Sequence, residues 1–216
     1  MARLMDLGMS SLGETLIEMG DMAQRSLQIA LDCYFKDAGS RKKVFELSEK
    51  LRSLEDEIGD IAIELIARYQ PVAKDLRFIR ASMEIAYIFW RFGRYSYDII
   101  DTIEALHPGL DCDKNIVMEM SYIVRRIMEI SLQCLRTKDE TLVKTLYEMD
   151  ATVDALYRTC LRGIISGDNR ENWNIRSQCD IRNILILKFL ERISDHACYL
   201  GDCVFYLVTG DSSPRR

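Results

Sequence analysis

Apolar residues recur at three- and four-residue spacing along almost the whole chain, whereas the strict apolar–polar alternation of strands is absent. This spacing places the apolar side chains of a helix on one face. Near the carboxyl end, for example, Ile186, Leu190, Ile193 and Ala197 form one apolar stripe. The pattern therefore predicts an all-α fold built from long amphipathic helices.

Five turn-prone segments interrupt the helical pattern. They are Asp37 to Ser40, Gln70-Pro71, His107 to Gly109, Thr137 to Asp139, and Gly167 to Asn169 with a polar continuation to Asn174. Between them the sequence predicts six long helices, roughly over 8–36, 40–69, 72–106, 112–136, 139–166 and 176–209. Helices of this length are typical of antiparallel bundles.

The two halves of the chain resemble each other. Two short matches carry the resemblance: Ser26-Leu27-Gln28 with Ser131-Leu132-Gln133, and Asp75-Leu76-Arg77 with Asp180-Ile181-Arg182. Each match falls in the corresponding helix of its half, which indicates an internal repeat. We therefore expect two tandem three-helix bundles, at 1–107 and 108–216.

Charge and hydropathy exclude several classes of protein. The net charge is −5 and no basic stripe exists, so nucleic acid is not expected as a partner. No segment approaches the roughly 20 apolar residues that a membrane-spanning helix needs, so no membrane insertion is expected. Asp6 stands where a signal peptide requires apolar residues. These features predict a cytoplasmic protein.

The chain contains seven cysteines, an odd number, with no Cys-x-x-Cys pair, and only two histidines. These numbers argue against a zinc site, a haem site or a disulfide scaffold. We expect the cysteines to be reduced and to pack as small apolar residues.

Two pairs of acids stand out by their spacing: Asp150 with Asp154 in the fifth helix, and Glu191 with Asp195 in the sixth. Residues four apart are neighbours on one helix face, where like charges repel. Four carboxylates from two packed helices could bind a hard cation or iron. A solvated acidic surface with local basic partners explains the same spacing. Helical wheels place the acids outside the apolar stripes, which predicts that any metal lies at the bundle surface.

Enzyme motifs are absent from the sequence. There is no Gly-rich phosphate loop, no Gly-x-Ser-x-Gly segment and no histidine paired with a nucleophile. A ferritin-type di-iron site requires Glu-x-x-His facing the bundle interior, but His196 follows Glu191 by five residues. We therefore do not expect an enzyme.

Three segments closely resemble the PhoU family: Tyr69 to Arg77 (Tyr-Gln-Pro-Val-Ala-Lys-Asp-Leu-Arg), Leu190 to Ala197 (Leu-Glu-Arg-Ile-Ser-Asp-His-Ala) and Tyr206 to Gly210. The resemblance covers essentially the whole chain. It implies paired three-helix bundles whose Glu/Asp-x-x-x-Asp motifs bind metal. The implied ligands are Asp150, Asp154, Glu191 and Asp195, and the implied metal is a divalent or iron-type ion (Fe, Mn, Mg, Zn or Ca).

The first bundle departs from this pattern. The family's Glu-Arg-Ile-Gly-Asp motif appears as Trp90-Arg91-Phe92-Gly93-Arg94, and its partner motif appears as Ser48-x-x-x-Arg52. Basic and aromatic residues thus replace the acids, and we expect no metal site there. Trp90, Phe92, Arg94 and Tyr95 could instead form a partner or dimer surface, or could simply pack within the fold.

The resemblance implies a regulator that restrains high-affinity phosphate transport through protein contacts. The implied partners are the phosphate-transporter ATPase, a phosphate-sensing histidine kinase, or both, with a second copy of the chain as a homodimer. Two alternatives remain open. One is a metal-storage or metal-sensing bundle, and the other is an accessory protein of a different phosphate transporter.

Overall fold

The computed structural model of the chain describes residues 2–36, 38–106, 112–166 and 173–211. Six α-helices account for nearly all of them: α1 (Ala2–Lys36), α2 (Arg41–Tyr69), α3 (Ala73–Ala105), α4 (Asn115–Thr137), α5 (Leu142–Ser166) and α6 (Trp173–Thr209). No strand occurs within these ranges. The predicted all-α fold with six helices is therefore confirmed. The His107 to Gly109 break and the 107/108 domain boundary lie outside the described residues.

Local chemistry explains where the helices begin and end. Ser40 caps α2, because its hydroxyl accepts a hydrogen bond from the Lys43 backbone N–H at 3.3 Å. Gln70 ends the same helix in the left-handed conformation, with φ of 48°, and donates its N–H to the Ile66 carbonyl. Lys138, at the end of α4, is also left-handed, with φ of 54°. α6 begins at Trp173, earlier than predicted, so Trp173 and Asn174 belong to the helix rather than to the turn.

The helices form two three-helix bundles, α1–α3 and α4–α6, which pack side by side. The α3–α6 contact and a smaller α1–α4 contact join them. A glycine permits the second contact: a Cβ atom at Gly20 would overlap the Leu132 side chain of α4. One continuous apolar core runs through both bundles and includes Phe89 and Phe92 of α3 and Leu190 and Ile193 of α6. The two bundles are thus one packed unit.

A disulfide joins Cys112, three residues before α4, to Cys179 in α6, with the two Cα atoms 5.5 Å apart. The prediction that every cysteine is reduced is therefore wrong for this pair. Sequence spacing could not reveal it, because the two residues are 67 positions apart and meet only when α6 packs beside the start of α4. The other five cysteines are free.

No helix in the described part of the chain combines the length and the apolar character that a membrane crossing requires.

Candidate metal centre

The first predicted ligand, Asp150, lies inside the interface between α5 and α6. Its residue surface is 0 % exposed, and its Oδ1 atom accepts a 2.7 Å hydrogen bond from the hydroxyl of Ser194, which is also fully buried. The prediction that all four acids lie outside the core is therefore wrong for Asp150. A wheel drawn for α5 alone places it at the edge of the apolar stripe, but α6 covers that edge.

The other three acids lie nearer to solvent and have basic neighbours on their own helices. Asp154 pairs with Arg158 at 3.0 Å, and Glu191 pairs with Lys188 at 2.7 Å. Asp195 lies 3.6 Å from Arg192. Their side chains are 23 %, 12 % and 37 % exposed, respectively. Such local basic partners are expected if the acids form a solvated acidic surface.

The same acids also lie close enough to affect one another. Burial raises the pKa of the Asp195 carboxyl, and the negative charges of Glu191 and Asp154 raise it further. Burial raises the pKa of the neighbouring Cys198 thiol to about 12, with smaller contributions from nearby acids that include Asp195 and Asp154. Since Asp154 is on α5 and Asp195 is on α6, negative potential from both helices converges on the groove between them.

The donor set in this groove fits a hard cation, because carboxylate oxygens are the ligands that Mg²⁺, Mn²⁺ and Ca²⁺ favour. Within the described ranges, however, no three His, Cys, Asp or Glu side chains already lie in a metal-holding arrangement. Asp154, Glu191 and Asp195 instead pair with basic side chains of their own helices. Rotation away from Arg158, Lys188 and Arg192 would be needed before the acids could share an ion. The four-ligand site therefore stays a prediction.

Ser194 is the residue of this groove that sequence reasoning undervalued. It stands where the Glu-Arg-Ile-Gly-Asp motif has glycine, and the change from glycine to serine is small. Its hydroxyl is the donor that satisfies one oxygen of a fully buried carboxylate. A polar residue in the apolar middle of a helix motif is the sequence signal that points to such a partner.

The first bundle repeats this helix packing with different chemistry. A Cβ atom on Gly93 would lie 3.4 Å from the Cα atom of Ser48, so α3 contacts α2 at this point. The corresponding contact in the second bundle joins Ser194 of α6 to Asp150 of α5. At the positions that correspond to Asp154 and Glu191, the Arg52 guanidinium lies 5.2 Å from the ring centre of Trp90. A cation–π pair thus stands where the second bundle has two acids.

Two of the four residues considered for a partner surface in the first bundle are buried. Phe92 is fully buried against Phe89, with ring centres 6.1 Å apart. Tyr95 is 7 % exposed and stacks on Phe189 of α6 at 6.3 Å. These two side chains follow the packing alternative and do not belong to an exposed surface, and Tyr95 is covered because α3 faces α6 there. Trp90 is half-buried and Arg94 is exposed.

Comparison with known proteins supports the tandem architecture. The family model of the PhoU domain matches the chain twice, at residues 16–103 and 117–204. A phosphate-specific transport system accessory protein, a PhoU homolog of Zymomonas mobilis, is 27 % identical over 98 % of this chain and 88 % of its own length. A PhoU homolog of Pseudomonas putida is 27 % identical over 90 % of this chain and 77 % of its own length.

Solved structures agree with this match. The crystal structure of PhoU from Pseudomonas aeruginosa superposes with a TM-score of 0.85 and 25 % identity, covering 95 % of this chain and 99 % of that one. The phosphate transport system regulatory protein PhoU from Streptococcus pneumoniae superposes with a TM-score of 0.84 over 98 % of this chain and 100 % of that one. At 17 % identity, the second likeness concerns the fold alone.

Proposed function

Because the chain belongs to the PhoU family, and two PhoU domains make up most of its length, we propose that it is an accessory regulator of phosphate uptake. In this proposal it acts by protein contacts and not by catalysis. It restrains the phosphate-specific transporter, a phosphate-sensing histidine kinase, or both. Curated relatives that are named as accessory proteins of the phosphate-specific transport system support this assignment.

The α5–α6 groove is the feature that supports a specific functional surface. Asp154 and Asp195 bring negative potential there from two helices, and Asp150 is buried between the same two helices. We assign Asp150, Asp154, Glu191 and Asp195 as the residues that hold a hard cation or iron. When bound, the ion neutralises the mutual repulsion of the acids. The residues themselves fix the register of α5 against α6 through the Ser194–Asp150 hydrogen bond.

The two halves of the molecule contribute unequally in this account. The second bundle presents acids, whereas the equivalent face of the first presents Arg52, Trp90 and Arg94. One face therefore suits basic partner surfaces or a bound cation, and the other suits acidic ones. A homodimer that leaves the α5–α6 groove accessible is compatible with binding at both of these faces.

A co-purification experiment tests this function. The tagged chain is incubated with the ATPase subunit of the phosphate-specific transporter and, separately, with the sensor kinase from the same genome. We expect the wild-type chain to retain at least one of them. A D154N/D195N variant should retain less because it removes two charges from the groove.

The matched control is D60N/E64Q, which removes two acids from an exposed face of α2, where Glu64 pairs with Arg68 as Asp154 pairs with Arg158. This control should retain as much partner as the wild type. Absence of both partners from the wild-type eluate would refute the proposed regulatory function. Equal retention by the two double variants would refute the role of the groove.

A further inference from the structure

A cavity lies at the end of the molecule where four helices from both bundles meet. Its volume is about 650 Å³, and its walls come from the start of α1, the start of α3, the end of α4 and the end of α6. Small-molecule sites commonly have 300–1,000 Å³ and lie between domains. Leu207 lies twelve residues beyond Asp195 on α6, about 18 Å along the helix axis, so the cavity is separate from the acidic groove.

One side of the cavity is basic. Lys74, Arg77 and Lys138 line it, and Asp6 and Asp75 are the acids beside them. Asp75 lies in the first turn of α3, where the helix amino terminus already stabilises its negative charge. The three cations come from the two bundles, two from α3 and one from the residue that ends α4.

Arg77 lies against the end of α6 and has a hydrogen-bond donor that is unused in the described part of the chain. Its guanidinium lies beside Gly210, at the carboxyl end of α6, where a Cβ atom would be 3.4 Å from its Nη1 atom. Its Nε atom is buried and has no hydrogen-bond acceptor within the described residues. A buried donor without an acceptor costs free energy unless a ligand or water satisfies it.

The other side of the cavity is apolar. Met9, Phe78, Leu207 and Val208 supply its surface, and the Lys138 ammonium lies 6.0 Å from the ring centre of Phe78. Basic donors beside an aromatic ring suit a ligand with an anionic head and a flat apolar body.

The backbone around the cavity is strained. In the described part of the chain, the non-glycine residues with positive φ are Gln70, Ala73 and Lys138. Ala73 immediately precedes Lys74, and Lys138 is itself part of the wall. Left-handed backbone is disfavoured at non-glycine residues, although Gln70 and Lys138 also serve as helix ends.

We propose that this cavity binds a small organic anion. Its carboxylate or phosphate head contacts Lys74, Arg77 and Lys138, and its aromatic or aliphatic body packs against Phe78 and Met9. Because the walls come from both bundles, the bound anion bridges α3 of one bundle to α4 of the other. This site is independent of the metal groove and of the proposed partners.

Calorimetric titration of the full chain tests the proposal. Adenosine monophosphate and indole-3-acetate each combine an anionic head with an aromatic body, the first through a phosphate and the second through a carboxylate. Adenosine contains the aromatic body without an anionic head, and inorganic phosphate contains an anionic head without a body. We expect at least one of the two organic anions to bind at least about tenfold more tightly than either fragment. The anion that binds identifies the preferred head.

A K74Q/K138Q variant should weaken that binding at least about tenfold, because two of the three cations are gone. The control K42Q/K144Q changes two exposed lysines elsewhere and should leave it unchanged. The proposal is overturned if neither organic anion binds at millimolar concentration. It is also overturned if both double variants bind equally well.

Discussion

At the residue scale, one of the positions that distinguish the two bundles is Gly93 in the first, which corresponds to Ser194 in the second. Gly93 allows α3 to approach the backbone of Ser48 closely, whereas Ser194 donates a hydrogen bond to the buried Asp150. Burial of a carboxyl group costs free energy, and hydrogen bonds to its oxygens reduce that cost. The serine therefore helps the second bundle to keep an acid in its core.

Removal of that hydroxyl should destabilise the protein. We expect Ser194→Ala to lower the free energy of unfolding by about 1–3 kcal/mol, because a buried carboxylate oxygen loses its donor. Ser96→Ala is the matched control. The Ser96 hydroxyl is equally buried but donates to the Phe92 carbonyl of its own helix. Urea unfolding of both variants measures the difference, and equal midpoints would contradict the account.

At the element scale, the sequence predicted the six helices because apolar periodicity is a local signal that each segment carries alone. The helix ends were predicted to within about three residues, except at the start of α1. Burial of Asp150 was not predicted, because it depends on which neighbouring helix covers that face. A wheel for one helix contains no information about that neighbour.

Close helix packing makes a second prediction at this scale. A Cβ atom at Gly93 would lie 2.5 Å from Leu51 Cδ1, so Gly93→Ala should destabilise the fold by about 1–3 kcal/mol through overpacking. At Gly59 on α2, a Cβ atom would meet no atom within 4 Å. Gly59→Ala should stabilise the fold by up to about 1 kcal/mol, because alanine favours helix. Thermal unfolding of both variants tests this, and destabilisation of the two to the same extent would argue against the packing.

At the scale of the whole molecule, the α3–α6 interface joins the two halves, and the Cys112–Cys179 disulfide closes a loop within the second half. Near the disulfide, the Tyr34 hydroxyl donates to Asn183 at 2.6 Å, and the Asn183 amide donates to the Asp113 carbonyl at 2.8 Å. These contacts tie the end of α1 and the segment before α4 to α6. Residues far apart in the sequence meet here, so no local pattern could predict them.

Reduction of the disulfide should weaken the fold globally. Closure of a loop of this length restricts the unfolded chain, and we expect reduction to cost about 4 kcal/mol of unfolding free energy. Guanidinium unfolding with and without dithiothreitol measures this cost, and C112S/C179S should show no effect of the reductant. Thiol titration of the non-reduced, denatured wild type should count the five free cysteines. A count of seven would contradict the disulfide.

The central claim is that acids from α5 and α6 hold one site in the second bundle and that the first bundle holds none. Titration with Mn²⁺, followed by electron paramagnetic resonance of the free ion, tests it most directly. We predict saturable binding by the wild type, loss of that binding in D154N/D195N, and unchanged binding in D60N/E64Q. Equal Mn²⁺ binding by the two double variants, or none by the wild type at millimolar Mn²⁺, would contradict the claim.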